Sequence, residues 1–152
     1  RKLTPDDIDA FLDLREAISH ETTHTLQIPG KAPERETLLK RWTDQITHAV
    51  NLRLGAFDGK DMVAVIMFYQ DEPHPWIKHI AKFGMYSRKA YWGQGIGRRL
   101  LDLIENHAAG CGITRIEALV RTQNDLGVNL YKKAGYTIEG TKKSAAFIDG
   151  VY

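Results

Sequence analysis

The sequence has little of several features that would assign a protein to a special class. Its 152 residues include one cysteine, Cys111, which excludes an intrachain disulfide and favours a reducing compartment such as the cytoplasm. The longest apolar run, residues 62–69, is far too short to span a membrane. The formal net charge is only +2 and no basic block occurs. We therefore expect a cytoplasmic protein with neither a membrane nor a nucleic-acid partner.

The remaining composition is that of an ordinary globular protein, with 43% hydrophobic and 26% charged residues. We expect one domain over residues 1–152, with its first and last strands incomplete. Hydrophobic spacing predicts helices over residues 5–19, 34–48, 97–109 and 124–134. It predicts strands over residues 1–3, 52–57, 62–69, 76–87, 114–121, 136–143 and 145–152. This order predicts an α/β (α+β) fold, a mixed sheet with helices on its faces.

A glycine-rich turn is the most informative stretch of the chain. Residues 92–97 read WGQGIG, and an amphipathic helix follows at once. Such a turn exposes free N–H groups at the positive end of a helix, which is an arrangement that binds phosphate. The turn lacks the Lys-Ser/Thr ending of a P-loop, and Arg98 stands where a dinucleotide fingerprint needs its third glycine. The turn alone leaves open another phosphate ligand or no ligand at all.

A second motif lies downstream of this turn. Asn124 begins a predicted helix that contains LYKKAGY at residues 130–136, and IEG follows at residues 138–140. With the glycine-rich turn, this motif resembles the GNAT superfamily of acetyl-CoA-dependent N-acetyltransferases, which carries [Q/R]-x-x-G-x-[G/A] and then N-x-x-A-x-x-L-Y-x-K-x-G-F. The chain departs from that pattern at Trp92, Gly127 and Tyr136. Two motifs in the right order at the right separation make the resemblance specific.

The resemblance implies a site for acetyl-CoA as the acyl donor. It implies a mostly antiparallel sheet in which residues 76–87 and 114–121 form a splayed parallel pair. The strand edge at Met85 and Ser87 would pair with the pantetheine amides, and Asn124 would cap its helix and bind the donor. Main-chain N–H groups would hold the pyrophosphate at Gln94, Gly95, Ile96, Gly97 and Arg98.

Tyr131 is the general acid that the resemblance implies. A phenol has a pKa of about 10, so it is protonated at neutral pH and can donate a proton to the leaving thiolate. The general base is open between a water chain and the side chains of His79, Glu72, Glu21 and Glu117. No metal site is expected, because His20 and His24 lack a third ligand.

The resemblance implies an N-acetyltransferase that moves an acetyl group to a primary amine by direct attack. Acids in the loops at residues 20–33 and 70–76 suit a cationic acceptor, so a small amine or an amino acid is the first hypothesis. A protein N-terminus, as in ribosomal-type acetyltransferases, is an alternative acceptor. A non-catalytic acyl-CoA sensor is an alternative of another class. The resemblance also allows a homodimer.

Overall fold

The computed structural model describes residues 1–71 and 74–151. A single turn of 3-10 helix, Pro5–Asp7, leads into α1, and a second, Lys89–Tyr91, precedes α3. The helices are α1 (Ile8–Glu21), α2 (Arg35–Ile46), α3 (Ile96–Gly110) and α4 (Asp125–Lys133). The strands are β1 (Leu52–Asp58), β2 (Asp61–Tyr69), β3 (Ile80–Ser87) and β4 (Arg115–Ala118).

The four strands form one sheet in the order β1-β2-β3-β4. The β1–β2 hairpin and the β2–β3 pair are antiparallel, whereas β3 and β4 are parallel. Gly59 has a φ of +59°, which the tight turn between β1 and β2 requires. The predicted fold class is therefore confirmed, since the sheet is mixed and mostly antiparallel, with a single parallel pair.

Helices cover both faces of this sheet. On one face α3 packs against alternate residues of β2 and β3, and the shared core includes Ile66, Phe68, Phe83, Leu101 and Ile104. On the other face α1 and α2 pack together over the sheet, and that core includes Ile8, Phe11, Ile18, Trp42 and Val65. Because successive strand residues point to opposite faces, the two cores draw on alternate positions of the same strands.

Several strand predictions are wrong. Residues 76–79 and 119–121 lie outside β3 and β4, and residues 1–3 contribute only an isolated bridge to β1. No strand forms within residues 136–151, where a bridge between Ile148 and Val151 is the only pairing. All residues from 137 to 145 are exposed, so an extended conformation there gains no burial to offset its loss of entropy. Left-handed φ angles of +50° at Ser144 and +51° at Asp149 also interrupt any extended run.

Candidate active site

The parallel strands β3 and β4 separate part of the way along the sheet. Pairing between them ends at Phe83 and Ala118, whereas β3 continues to Ser87 beside β2. Arg88 N donates to Val63 O at 2.9 Å, which sets the alternation of hydrogen bonds along β3. It follows that the main-chain groups of Gly84 and Tyr86 face β2, and those of Met85 and Ser87 face the gap.

No strand of the described chain pairs with Met85 and Ser87 on the open side of β3. The carbonyl of Ser87 accepts a hydrogen bond from Trp92 Nε1 at 3.0 Å. This bond ties the glycine-rich turn to the end of β3, which gives the unexpected tryptophan a definite role. Within the part of the chain that the structure describes, the N–H groups of Met85 and Ser87 form a short unpaired edge next to the turn.

The three glycines of the turn are needed for two different reasons. Gly93 and Gly95 have φ angles of +74° and +82°, and a Cβ on either would meet no atom within 4 Å. Their role is conformational, because side chains with a Cβ disfavour this left-handed region. A Cβ on Gly97 would instead lie 2.9 Å from Leu130 Cδ2 and 3.4 Å from Met85 Cε. The third glycine therefore lets the first turn of α3 pack closely against α4 and β3.

The helix that follows the turn presents unpaired N–H groups. The first bond of α3 runs from Arg99 N to Gly95 O at 3.0 Å, so the N–H groups of Ile96, Gly97 and Arg98 have no partner within the helix. The side chain of Arg98 forms a 2.6 Å ion pair with Asp102 on the helix surface. The side chain of Gln94 donates to Ala90 O at 3.0 Å. Both side chains thus have partners, while the helix end offers its main-chain donors.

Tyr131 lies beside the point where the strands separate. Its ring contacts the edge of Phe83 with centroids 5.3 Å apart, and Tyr136 completes the aromatic cluster at 6.1 Å from Tyr131. Burial raises the pKa of Tyr131 to about 12. The phenol is therefore neutral throughout the physiological pH range and can act as a proton donor.

Asn124 acts as the N-cap of α4. Its Oδ1 accepts a hydrogen bond from Gly127 N at 3.0 Å, which satisfies one free donor of the helix. A Cβ on Gly127 would lie 2.8 Å from Asn124 Nδ2 and 3.0 Å from Asn124 Cγ. Glycine at position 127 therefore leaves room for the capping side chain to fold over the first turn.

Glu21 is a structural anchor rather than a free base. Its carboxylate accepts hydrogen bonds from Arg88 Nε at 2.7 Å and from Lys89 N at 2.6 Å. Burial alone raises the pKa of Glu21, but the bonds from Lys89 and Arg88 outweigh burial and lower the pKa overall. A carboxylate held in this way is a weak proton acceptor. It joins the end of α1 to the segment that leads into the glycine-rich turn.

The other candidates for the general base lie away from Met85 or outside the described residues. His79 is exposed and immediately precedes β3, although it was predicted to lie within that strand. Six residues of extended chain, roughly 20 Å, separate it from Met85. Glu117 accepts a 2.7 Å bond from Arg115 Nε and stands opposite Lys82 in the β3–β4 pair, about 10 Å along the strand from Met85. Glu72 lies outside the described residues.

A hydrogen bond between Arg121 and the loop after α1 was not anticipated from the sequence. Arg121, just beyond β4, donates from Nη1 to Thr23 O at 2.8 Å. With the Glu21 anchor, this bond fixes the start of the α1–α2 loop to the ends of both separated strands. No pattern near Arg121 points to this contact, because its partner lies 98 residues away.

The arrangement therefore combines three chemical capabilities at one end of the sheet. The glycine-rich turn and α3 offer donors to an anionic group, the open edge of β3 offers amide donors, and Tyr131 offers a proton. Within the described residues, no group of three or more His, Cys, Asp or Glu side chains is placed to hold a metal ion. None of the described helices is long and apolar enough to cross a membrane.

A family model and a curated protein that are similar to this chain are both acetyltransferases. A model of the acetyltransferase (GNAT) family matches residues 12–136. The L-amino acid N-acetyltransferase AaaT of Escherichia coli strain K12 is 26% identical over 132 residues, covering 85% of this chain and 76% of that protein.

Solved structures share the same fold. An acetyltransferase of the GNAT family from Streptococcus pneumoniae superposes with a TM-score of 0.90 at 26% identity, over 98% of this chain and 89% of that chain. The structure of yncA from Salmonella typhimurium, solved with its cofactor acetyl-CoA, superposes with a TM-score of 0.78 at 17% identity, over 92% of this chain and 79% of that one. At 17% identity, the match to the Salmonella typhimurium structure shows only that the fold is shared.

Proposed function

This chain belongs to the GNAT acetyltransferase family, and we propose that it acetylates the amine of an L-amino acid. GNAT acetyltransferases use acetyl-CoA, which is therefore the acyl donor. The observation that carries the choice of acceptor is the similarity to an L-amino acid N-acetyltransferase over 85% of the chain. An amino acid is also a small primary amine, which is the first hypothesis from the sequence.

The residues present fit the donor. The unpaired N–H groups at the start of α3, next to the exposed turn at Gly93 and Gly95, suit a pyrophosphate. The unpaired edge at Met85 and Ser87 suits the amides of an extended pantetheine chain, which would add to β3 as a short strand. The proposed donor site therefore depends on main-chain groups much more than on the side chains of Gln94, Arg98 or Asn124.

In the proposed reaction each residue has a limited task. The donor supplies an acetyl thioester, whose C–S bond breaks as the acceptor nitrogen forms the new C–N bond. The main-chain N–H of Met85, which faces the gap, polarises the carbonyl at the edge of β3. Tyr131 gives its phenolic proton to the departing sulfur and regains a proton from solvent. A water chain takes the proton that the acceptor amine loses, and Glu117 is the described carboxylate towards which such a chain can lead.

Tyr131 suits this role better than any other described acid near the gap. Its ring lies against Phe83, the last β3 residue that pairs with β4. It approaches the sheet from the face covered by α3, so the acceptor would enter from the opposite side, beside α1 and α2. Separation of the proton donor from the amine by the sheet itself favours protonation of the thiolate over protonation of the incoming amine.

Release of free thiol from acetyl-CoA with a panel of amines tests the proposed acceptor. The panel contains the common L-amino acids, polyamines and peptides with free N-termini, and acetylated products are identified by mass spectrometry. We expect several L-amino acids to give higher kcat/KM values than any peptide or polyamine. Preference for a peptide N-terminus would replace the proposed acceptor with a protein. Tight acetyl-CoA binding without turnover of any amine would instead indicate a sensor.

The cellular setting is part of the same proposal. One cysteine and no need for a disulfide agree with a cytoplasmic enzyme. A homodimer, which the family resemblance allows, stays a prediction that sedimentation at several protein concentrations would measure. Neither point alters the chemistry proposed above.

A further inference from the structure

A cluster of polar atoms without partners lies under α1 on the acceptor face of the sheet. Arg15 Nε from α1, Arg53 Nε from β1 and Tyr86 Oη from β3 are each buried and have no hydrogen-bond partner among the described residues. The cluster sits within the aromatic core of that face, because the Phe11 ring lies 6.3 Å from the Tyr86 ring. Buried polar atoms in folded proteins are nearly always satisfied, so these three need a partner.

The two guanidinium groups also have no counter-charge among the described residues. Neither Arg15 nor Arg53 forms an ion pair with a described carboxylate. Arg15 lies over the Phe11 ring at 5.7 Å, and Arg53 lies over the Trp42 ring at 5.0 Å. Contact with an aromatic face offsets only part of the cost of taking a cation out of water. A bound anion from solution would offset the remaining cost of burying these cations.

Tyr86 lies close enough to both arginines for each of them to affect its pKa. Burial raises the pKa of Tyr86 to about 12, while Arg15 and Arg53 act in the opposite direction. Arg15 therefore lies beside the hydroxyl and acts on it through its charge and its side-chain donors, although Tyr86 Oη has no partner at full hydrogen-bond geometry among the described residues. A small oxyanion between them could accept from the guanidinium and from the neutral phenol together.

The cluster adjoins the gap where the acetyl group is expected. Tyr86 directly follows Met85, whose main-chain groups face the gap. On the cluster's side of the sheet, a Cβ on Gly84 would meet only Met67 Cε, at 3.8 Å, so the sheet surface there is open. An amino acid with its amine at the edge of β3 would hold its carboxyl carbon two bonds further on, over this opening.

We propose that Arg15 and Tyr86, backed by Arg53, bind the carboxylate of the acceptor amino acid. This inference rests on the proposed amino acid acceptor and names the residues that recognise it. Arg15 is the principal ligand, since Arg53 already donates from Nη2 to Gln45 Oε1. A guanidinium matches the two oxygens of a carboxylate with two parallel N–H donors, which a lysine ammonium cannot do.

The test compares three acceptors that differ only at the carboxylate. These are the best L-amino acid of the panel, its carboxamide and its decarboxylated amine; for leucine they are leucinamide and 3-methylbutylamine. The variants are Arg15→Gln, Arg15→Lys and Tyr86→Phe, with Arg41→Gln as the control at an exposed position of α2. Each kcat/KM is measured at saturating acetyl-CoA, and amino acid binding without donor is measured by titration calorimetry.

We expect Arg15→Gln to lower kcat/KM for the amino acid by roughly 10- to 100-fold, the equivalent of a lost charged hydrogen bond. The value for the decarboxylated amine should stay within about threefold of the unaltered enzyme. Tyr86→Phe should lower only the amino acid value, by about fivefold, and Arg41→Gln should change neither. Where Arg15→Gln folds poorly by circular dichroism, Arg15→Lys serves instead, because it keeps the charge but loses the paired donors.

Two results would overturn the inference while sparing the proposed acceptor. One is an unaltered enzyme that acetylates the carboxamide as well as the amino acid, and the other is an Arg15 variant that loses activity equally on all three acceptors. Failure of the unaltered enzyme to acetylate or bind any amino acid, together with turnover of other amines, would reject the proposed acceptor and the carboxylate site with it.

Discussion

Replacing Tyr131 with phenylalanine removes one oxygen atom from the proposed proton donor and leaves its packing in place. The Tyr131 ring contacts Phe83 with centroids 5.3 Å apart, and phenylalanine keeps that ring, so little change in stability is expected. The pKa of about 12 means that essentially every molecule carries the proton at pH 8. Loss of a positioned general acid lowers turnover by about 10²–10⁴-fold. We therefore expect kcat to fall by that factor, with acetyl-CoA affinity unchanged.

Tyr136→Phe provides a matched control for this change. Tyr136 belongs to the same aromatic cluster and has a buried hydroxyl, and its ring lies 5.7 Å from that of Phe83. Its kcat should stay within about threefold of the unaltered enzyme. Thiol release under saturating substrates measures kcat, and titration calorimetry measures donor binding. An unchanged kcat in Tyr131→Phe, or an equal fall in both variants, would refute the assignment of Tyr131 as the acid.

Three further predictions test the surrounding framework. Gly97→Ala places a methyl group 2.9 Å from Leu130 Cδ2; we expect a loss of about 1–3 kcal/mol in the free energy of unfolding, measured in urea, and weaker donor binding. Asn124→Ala should cost about 1 kcal/mol by the same measurement, and an unchanged acetyl-CoA affinity would limit Asn124 to its cap. Glu21→Gln should cost about 1 kcal/mol at pH 7. Because the folded state lowers the pKa of Glu21, that difference should shrink as the pH falls below 4.5, the ordinary value, and persistence of the difference at pH 3 would contradict it.

The parts of the fold that local patterns specify could be predicted well. The helix predicted over residues 97–109 is observed at Ile96–Gly110, because its apolar stripe, its glycine-rich start and its final glycine are all local features. The β1–β2 hairpin follows from its turn residues in the same way. The strands predicted over residues 136–143 and 145–152 are wrong as far as residue 151, the last that the structure describes. A strand needs a paired neighbour and a buried face, neither of which a local pattern reveals.

The general base shows the same limit at the site. His79, Glu21 and Glu117 are equivalent in the sequence, as acids or bases near predicted loops and strands. Packing distinguishes them, since it binds Glu21 to Arg88, leaves His79 exposed at the far end of β3, and sets Glu117 opposite Lys82. The partners Arg88 and Lys82 lie far along the chain from Glu21 and Glu117, so local patterns do not reveal these contacts. Only Arg115, which pairs with Glu117, is close to its partner in the sequence.

The sequence by itself determined the glycine-rich turn, the α4 motif with Tyr131 and the class of chemistry they imply, because each depends on residues within one turn or helix. Only the tertiary structure decided which edge of β3 stays open and which acid is tied down. It alone brought Arg15, Arg53 and Tyr86 together from three separate elements. Such contacts depend on how helices pack across a sheet, and the free energy of that packing is shared among residues that are distant in the chain.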